Sequence, residues 1–241
     1  MKTSERHHLK ENDFAQWVGG VRQWYEENQN AVLYGGIALV VVIVAVVATV
    51  LVRQNSAASS SRMLAEAMAI AEAPVMPPAA AEAGKPPLQA PGTYPNDRAR
   101  LEAALPKLMA VADGYPTADA GLIARYRAAA ALVAVGRTDE GIQRYQEVSE
   151  KGTGIFQTMA KLGIAEAYVQ AGKYDQAIAD FKAISQQPSE DTPVDGVLMG
   201  LARAYKAAGK ADDARKTFKR VAEEFPQSPY AQIARREIDA Q

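Results

Sequence analysis

Residues 159–188 read MAKLGIAEAYVQAGKYDQAIADFKAISQQP, and their spacing pattern predicts the fold of the C-terminal part of the chain. Its apolar side chains recur every three or four residues on both sides of Gly172, so the pattern predicts two short antiparallel helices. Gly172 suits the turn because glycine readily adopts the left-handed backbone conformation that residues with a side chain resist. Tyr168 and Phe181 are predicted to fill the contact between the helices. One hairpin cannot bury its own apolar faces, so copies are expected beside it.

The same pattern recurs before and after this stretch. The turn glycines Gly136, Gly172 and Gly209 are separated by 36 and 37 residues. Four residues before each glycine lie Leu132, Tyr168 and Tyr205. Nine residues after each glycine lie Tyr145, Phe181 and Phe218. In addition, residues 112–125 (ADGYPTADAGLIAR) match residues 222–235 (AEEFPQSPYAQIAR), three repeat lengths later. The chain is therefore predicted to be a helical repeat protein.

These residues resemble the tetratricopeptide repeat (TPR) family, whose pattern places Leu, a small residue, Tyr, Ala, Phe and Pro over about 34 residues. The second repeat carries the pattern at Ile164, Ala165, Tyr168, Ala177, Phe181 and Pro188, and the third at Leu201, Ala202, Tyr205, Ala214, Phe218 and Pro226. The first repeat departs further and lacks the closing Pro. The early Trp of the family pattern is absent from all three. The resemblance implies a solenoid of helical hairpins.

Composition narrows the function classes. The 241 residues are 48% hydrophobic but only 7% aromatic, which is typical of Ala-rich helices. Residues 97–241 contain twenty Lys and Arg and twenty Asp and Glu, so no electrostatic field attracts a phosphate backbone, and nucleic acid is not expected as a partner. The chain has no cysteine, which excludes disulfides, thiol catalysis and thiolate metal sites.

The N-terminal residues 1–30 are predicted to form a cytoplasmic tail with an amphipathic helix. Aromatic and aliphatic side chains at helical spacing form one stripe of this helix, at Phe14, Trp17, Val18, Val21, Trp24 and Tyr25. Because indole and phenol rings favour the headgroup region, we expect Phe14, Trp17, Val21, Trp24 and Tyr25 to contact membrane lipid. The alternative is an amphipathic helix docked on a partner subunit.

Residues 31–52 (AVLYGGIALVVVIVAVVATVLV) contain no charge. As a helix they span about 33 Å, which is enough to cross a hydrocarbon core of about 30 Å. We interpret them as an uncleaved single-pass transmembrane helix, because a signal peptide has a shorter apolar run and a shorter lead. Four basic residues before the span against two soon after it favour a cytoplasmic N-terminus.

The remaining chain divides by composition. Residues 53–73 continue a helical rhythm and are predicted to be a membrane-proximal helix. Residues 74–96 hold seven of the thirteen prolines and are predicted to be an extended or disordered Pro/Ala-rich linker that spaces the repeats from that helix. Residues 97–241 are predicted to be the repeat domain, which begins with the second helix of a degenerate unit.

The residues that enzymes need are not arranged for catalysis. We find no nucleophile paired with a histidine, no paired carboxylates, no Gly-rich phosphate loop and no metal-ligand spacing, and the histidines His7 and His8 lie in the tail. The sequence therefore predicts no enzyme, no cofactor, no metal site and no small-molecule substrate.

A stack of hairpins presents a concave groove lined by the first helix of each unit. The family register assigns to this groove Ile123, Tyr126, Val133, Met159, Leu162, Glu166, Val169, Gln170, Met199, Arg203 and Lys206. Tyr126, Leu162 and Met199 are predicted to form an apolar row that binds an apolar peptide or helix face, and Arg203 and Lys206 to receive an acidic residue. The alternative is that some of these apolar residues pack between hairpins.

The whole arrangement resembles the YfgM-like family of ancillary subunits of the bacterial SecYEG translocon. The resemblance is carried by residues 11–30 (ENDFAQWVGGVRQWYEENQN), the following AVLYGG and the C-terminal repeats. It implies an all-α, single-pass inner-membrane protein with a periplasmic TPR domain. The implied role is an adaptor whose protein partners are translocon subunits, periplasmic chaperones or exported clients. The proline-rich insert departs from the family pattern. A cell-envelope scaffold for division or outer-membrane assembly is the alternative, since residues 225–238 (FPQSPYAQIARREI) also resemble such proteins.

Overall fold

The computed structural model describes residues 19–20, 22, 24, 26–78 and 89–240. No strand is assigned in these residues, and the all-α fold is confirmed. The helices are α1 (Gln29–Ala71), α2 (Asp97–Gly114), α3 (Asp119–Ala134), α4 (Thr138–Lys151), α5 (Ile155–Gln170), α6 (Tyr174–Gln186), α7 (Val194–Ala207), α8 (Ala211–Glu224) and α9 (Ala231–Asp239). The chain divides into two units, Met1–Asn55 and Ser56–Gln241.

Within the first unit, α1 carries the candidate membrane span. It is long and apolar enough to cross a bilayer, and no residue of its most apolar stretch is buried by protein. Leu33, Ile37 and Val41 are among its large apolar side chains that are exposed. Thr49 satisfies its hydroxyl by donating to the carbonyl oxygen of Ala45 at 2.7 Å, as a hydroxyl on a helix in lipid must do internally.

In the second unit, the predicted turns are confirmed. Gly136, Gly172 and Gly209 have φ values of +90°, +72° and +73°, in the left-handed region that favours glycine. In each case the residue after the glycine donates a backbone hydrogen bond across the turn. For example, the N–H of Lys173 donates to the carbonyl oxygen of Tyr168 at 2.9 Å. This hydrogen bond ends the first helix of each hairpin, and the second, antiparallel helix begins after it.

The core lies between the hairpins and within them. Phe181 and Phe218 are fully buried, and Tyr145 is nearly so. One apolar cluster joins α3, α4 and α5, and another joins α5 through α9. The rings predicted to fill the seams therefore do so, which is why the repeat spacing identified the fold.

Aromatic rings also pack from one hairpin onto a glycine of the next. A Cβ atom added at Gly163 of α5 would lie 2.6 Å from Cε1 of Tyr145 in α4. A Cβ atom added at Gly200 of α7 would lie 2.6 Å from Cε1 of Phe181 in α6. Real Cβ atoms do not approach a ring so closely, so glycine lets the ring sit against the backbone of the following hairpin.

Residues 59–71 of α1 complete a hairpin with α2. Met63, Leu64 and Met68 pack against a core formed by α2 and α3. The Tyr115 hydroxyl donates to Oγ of Ser59 at 3.0 Å, and Arg100 donates to the carbonyl oxygen of Ala73 at 3.2 Å. The predicted membrane-proximal helix and the predicted repeat domain thus share one core.

The two ends of the Pro/Ala-rich segment pair with each other. The N–H of Met76 donates to the carbonyl oxygen of Tyr94 at 2.9 Å, and the N–H of Tyr94 donates to that of Pro74 at 3.0 Å. Residues 79–88 lie outside the described residues. The described ends of the predicted linker therefore lie beside each other between α1 and α2.

Candidate functional site

The first helices of the hairpins, α3, α5 and α7, form the candidate groove. Each contacts the next directly, α3 with α5 and α5 with α7, so their outward faces lie side by side. The same ends of the three helices meet the turn glycines, which keeps their registers aligned. The face that the repeat register assigns to the groove therefore belongs to three successive helices that lie side by side.

Its apolar part lies mainly on α3 and α5. Met159 is exposed, and Leu162, Val169, Ile123 and Tyr126 are half-buried. Such side chains present part of their apolar surface to the outside while their remaining atoms pack on neighbours. Half-buried apolar side chains on adjoining helices can bury their remaining exposed surface when a partner covers them.

Two predicted groove residues are instead part of the core. Met199 is only 1% exposed, and Val133 is also buried. Met199 belongs to the cluster against which Tyr230, Ile233 and Ile238 pack from the C-terminal end of the chain. Because Met199 is buried, the predicted apolar row stops at Leu162. This corrects the assignment of Met199 and Val133 to an open surface.

The polar groove residues are exposed on α5 and α7. Glu166, Gln170 and Arg203 all face outwards. Partial enclosure of the Glu166 carboxyl raises its pKa, and the positive charge of Arg203 opposes that rise. Lys206 forms an ion pair with Glu237 of α9, so its charge is already partly neutralised. Arg203 is therefore the better candidate to receive an acidic group of a partner.

An aromatic pair stands beside Glu166. The rings of Tyr126 and Tyr145 meet edge to face, with centroids 5.2 Å apart and planes at 64°. Burial raises the pKa of Tyr126, and the negative charge of Glu166 adds to the rise. Burial likewise raises the pKa of Tyr145. Both phenols stay neutral at physiological pH and can donate hydrogen bonds. The repeat register had placed Tyr145 only in the seam.

Of the predicted membrane-interface residues, Trp24 is the one that the structure describes. Its side chain is 57% exposed. Phe14, Trp17, Val21 and Tyr25 lie outside the described residues. An exposed indole just before an apolar helix is typical of the headgroup level of a bilayer.

The second hairpin contains a cavity that the sequence analysis did not predict. It has a volume of about 380 Å³ and lies between α5, α6 and the loop that follows α6. Its lining residues are Gln157, Thr158, Lys161, Ile164, Asp180, Ala183, Ile184, Gln187, Ser189 and Thr192. The missing Trp of the repeat pattern was the available signal. In the described ranges, no group of three His, Cys, Asp or Glu side chains could hold a metal ion.

Comparison with known families bears on the same repeats. Residues 168–238 match the tetratricopeptide repeat family. The matched segment runs from the end of α5 to α9, and the glycine turns and buried rings extend the TPR-like arrangement to the hairpin before it. The TPR fold is typically a scaffold for protein interactions rather than a catalytic fold.

Solved TPR structures resemble the chain at low identity. TPR-like repeats of a protein assigned as a kinesin light chain from Podosopora anserina match at 18% identity and a TM-score of 0.49, covering 58% of this chain and 77% of theirs. A tetratricopeptide repeat protein from Parabacteroides merdae ATCC 43184 matches at 16% identity and a TM-score of 0.45, covering 59% of this chain and 54% of its own. No curated protein sequence matches the chain.

Proposed function

We propose that this chain is a membrane-anchored adaptor whose TPR groove holds a segment of a protein partner. The observation that carries the proposal is the set of half-buried and exposed apolar residues on α3 and α5, which includes Tyr126, Met159 and Leu162. They adjoin the oppositely charged Glu166 and Arg203. A partner segment with an apolar face flanked by one basic and one acidic residue matches this arrangement.

Binding in this groove is expected to be weak and reversible. The apolar surface covers only two helices, because Met199 of α7 is buried. Interfaces smaller than about 1,200 Å² are typical of transient encounters, so we expect a Kd on the order of micromolar. Such affinity suits the transfer of a client between partners rather than its storage.

The proposal extends to location and partners. The apolar stretch of α1 supports a single-pass anchor, and the resemblance to YfgM-like proteins supports the bacterial inner membrane. On this proposal the N-terminus is cytoplasmic and the repeats are periplasmic, where they connect exported proteins at the translocon with chaperones. An alkaline phosphatase reporter fused after the C-terminus is expected to be active. An inactive fusion, together with protease protection of the repeats in spheroplasts, would reverse the orientation.

Site-specific photocrosslinking in cells tests the groove. A benzoylphenylalanine at Tyr126, Leu162 or Arg203 is expected to capture a protein identified by mass spectrometry as a translocon subunit, a chaperone or an exported client. The matched control positions Gln143 and Lys182 are exposed on the second helices. Capture from the control positions but not from the groove would refute the groove. Capture of division or outer-membrane assembly factors from the groove would instead favour the scaffold function.

A further inference from the structure

The cavity between α5 and α6 exists because a filling side chain is missing from the second hairpin. The TPR pattern places a Trp three residues before its Leu. At that position the three repeats have Arg125, Lys161 and Leu198, spaced by the repeat lengths of 36 and 37 residues. Arg125 is 2% exposed and Leu198 is 0% exposed, so both fill their hairpins. Lys161 is exposed and leaves its space open.

The neighbouring positions show the same difference. Ile184 lines the cavity and is half-buried, whereas its counterparts Val148 and Val221 in the other two repeats are 0% exposed. The second hairpin therefore has a partly exposed apolar surface inside the cavity. Ile164 and Ala183 line the same cavity. A ligand in the cavity would bury this apolar surface, which the first and third hairpins bury with their own side chains.

Two oppositely charged residues, Asp180 and Lys161, also line the cavity. Asp180 is half-buried, and burial raises the pKa of its carboxyl. Neither Asp180 nor Lys161 forms an ion pair or hydrogen bond with another residue in the described part of the chain. Two hydroxyl groups also line the cavity, where Oγ1 of Thr158 and Oγ of Ser189 lie 3.1 Å apart. A half-buried carboxylate gains most from a ligand that brings a positive charge.

The first repeat shows which cation fits such a space. There Arg125 occupies the equivalent position and donates from Nη2 to the carbonyl oxygen of Ala112 at 2.6 Å. Its Nε lies 2.9 Å from Oε2 of Glu147. Asp180 is three residues before the counterpart of Glu147, and thus one helical turn away on a similar face. The second hairpin therefore has Ala183 at the position of Glu147, a carboxylate one turn away at Asp180, and no arginine at the position of Arg125.

We propose that this cavity binds the side chain of an arginine from a protein partner. The guanidinium pairs with Asp180 and the methylene groups lie on Ile164 and Ile184. A planar guanidinium can make two parallel hydrogen bonds to a carboxylate, which a lysine ammonium cannot do. The cavity shares no residue with the groove, so either site can be disproved without the other.

Methyl NMR of the full chain in lipid nanodiscs tests this site. The probe is N-acetyl-arginine methylamide, and the neutral control of similar shape is N-acetyl-citrulline methylamide. The arginine probe is expected to shift the methyl signals of Ile164 and Ile184 but not that of Ile178, which lies in the core outside the cavity. Citrulline is expected to bind at least about tenfold more weakly, because it lacks the charge. Equal binding of the two probes would overturn the proposal.

Two variants and one control locate the binding. Asp180→Asn is expected to weaken arginine binding about tenfold or more. Lys161→Leu introduces the residue that fills the third hairpin, so it should abolish binding while the Ile178 signal shows that the fold is intact. The control Glu190→Gln changes an exposed acid outside the cavity and should leave binding unchanged. Unaltered binding by both variants would refute the site.

A further comparison identifies the source of the guanidinium. Free L-arginine carries a carboxylate that could pair with Lys161, whereas the capped probe does not. On the proposal, the capped probe binds at least as well as free arginine. Binding of free arginine alone would mean that the cavity recognises the amino acid as a small molecule, and the protein partner would be excluded.

Discussion

The contact between Phe181 and Gly200 provides a sharp test of how the hairpins are held together. In Gly200→Ala the new Cβ would lie 2.6 Å from Cε1 and 2.7 Å from Cζ of the Phe181 ring. The ring is 1% exposed and packed in the core of α5 to α9, so it cannot move aside without displacing its neighbours. The methyl group must therefore push the two hairpins apart or strain the ring.

The expected magnitude follows from two opposing effects. Adding a methyl group to a tightly packed core typically costs about 1–3 kcal/mol. Alanine is a better helix former than glycine, and this contributes up to about 1 kcal/mol in the other direction. Gly200→Ala should therefore lower the free energy of unfolding by about 1–2 kcal/mol. In a domain of this size the melting temperature should fall by about 2–8 °C.

Thermal unfolding of the full chain in mild detergent, followed by circular dichroism, measures the effect. Gly196→Ala is the matched control in the same helix, because its Cβ would meet the nearest atom at 3.5 Å, an ordinary contact. That variant should be neutral or slightly stabilising. In a Phe181→Leu background, which removes part of the ring, the cost of Gly200→Ala should shrink by about 0.5 kcal/mol or more. Equal effects of the two alanine substitutions would refute the close packing of the ring.

Three further predictions concern other parts of the second unit. Phe181→Ala should cost about 3–5 kcal/mol, measured by chemical unfolding, because the ring is fully buried. Arg125→Ala should lower the free energy of unfolding by about 3–5 kcal/mol, because it breaks a buried ion pair and leaves space behind. Arg125→Leu should lower it less, because an apolar side chain fills part of that space, and the melting curves of the two variants should differ clearly. Because the folded state raises the pKa of Glu166 above its ordinary 4.5, Glu166 favours folding below that value and disfavours it as the pH rises through the folded-state pKa. Glu166→Gln should therefore raise the melting temperature at pH 7.5 but not at pH 4. The same change at both pH values would show that the pKa of the Glu166 carboxyl does not shift on folding.

The turns and seams could be predicted from the sequence because they depend on local geometry. Gly172 is required by the backbone of its turn, and Tyr168 and Phe181 recur at fixed distances from that turn. These relations lie within one repeat of about 34 residues, so they are visible in a comparison of neighbouring segments. The apolar span of α1 was visible for a similar reason, since its length and lack of charge suffice.

The features that were missed depend on residues distant in the sequence. Met199 has the same repeat position as Leu162, but it is buried in a cluster against which Tyr230 and Ile233 pack. The pairing of Pro74 and Met76 with Tyr94 crosses a proline-rich segment, whose composition does not specify partners. The cavity beside Lys161 arises because Lys161 does not fill its hairpin, whereas the equivalent residues Arg125 and Leu198 fill theirs. Composition and periodicity describe what the repeats share, whereas these features come from how the repeats differ.

The glycine–ring contacts also determine how such an array can grow. The hairpin formed by α5 and α6 carries both parts of the contact, because Gly163 receives the ring of the preceding hairpin and Phe181 packs onto the following one. A tandem duplication of this hairpin would place one copy of Phe181 against the second copy of Gly163. The new junction would be compatible from the outset. Lengthening the array through this unit is therefore a simple evolutionary step, and each added copy would extend the groove by one helix.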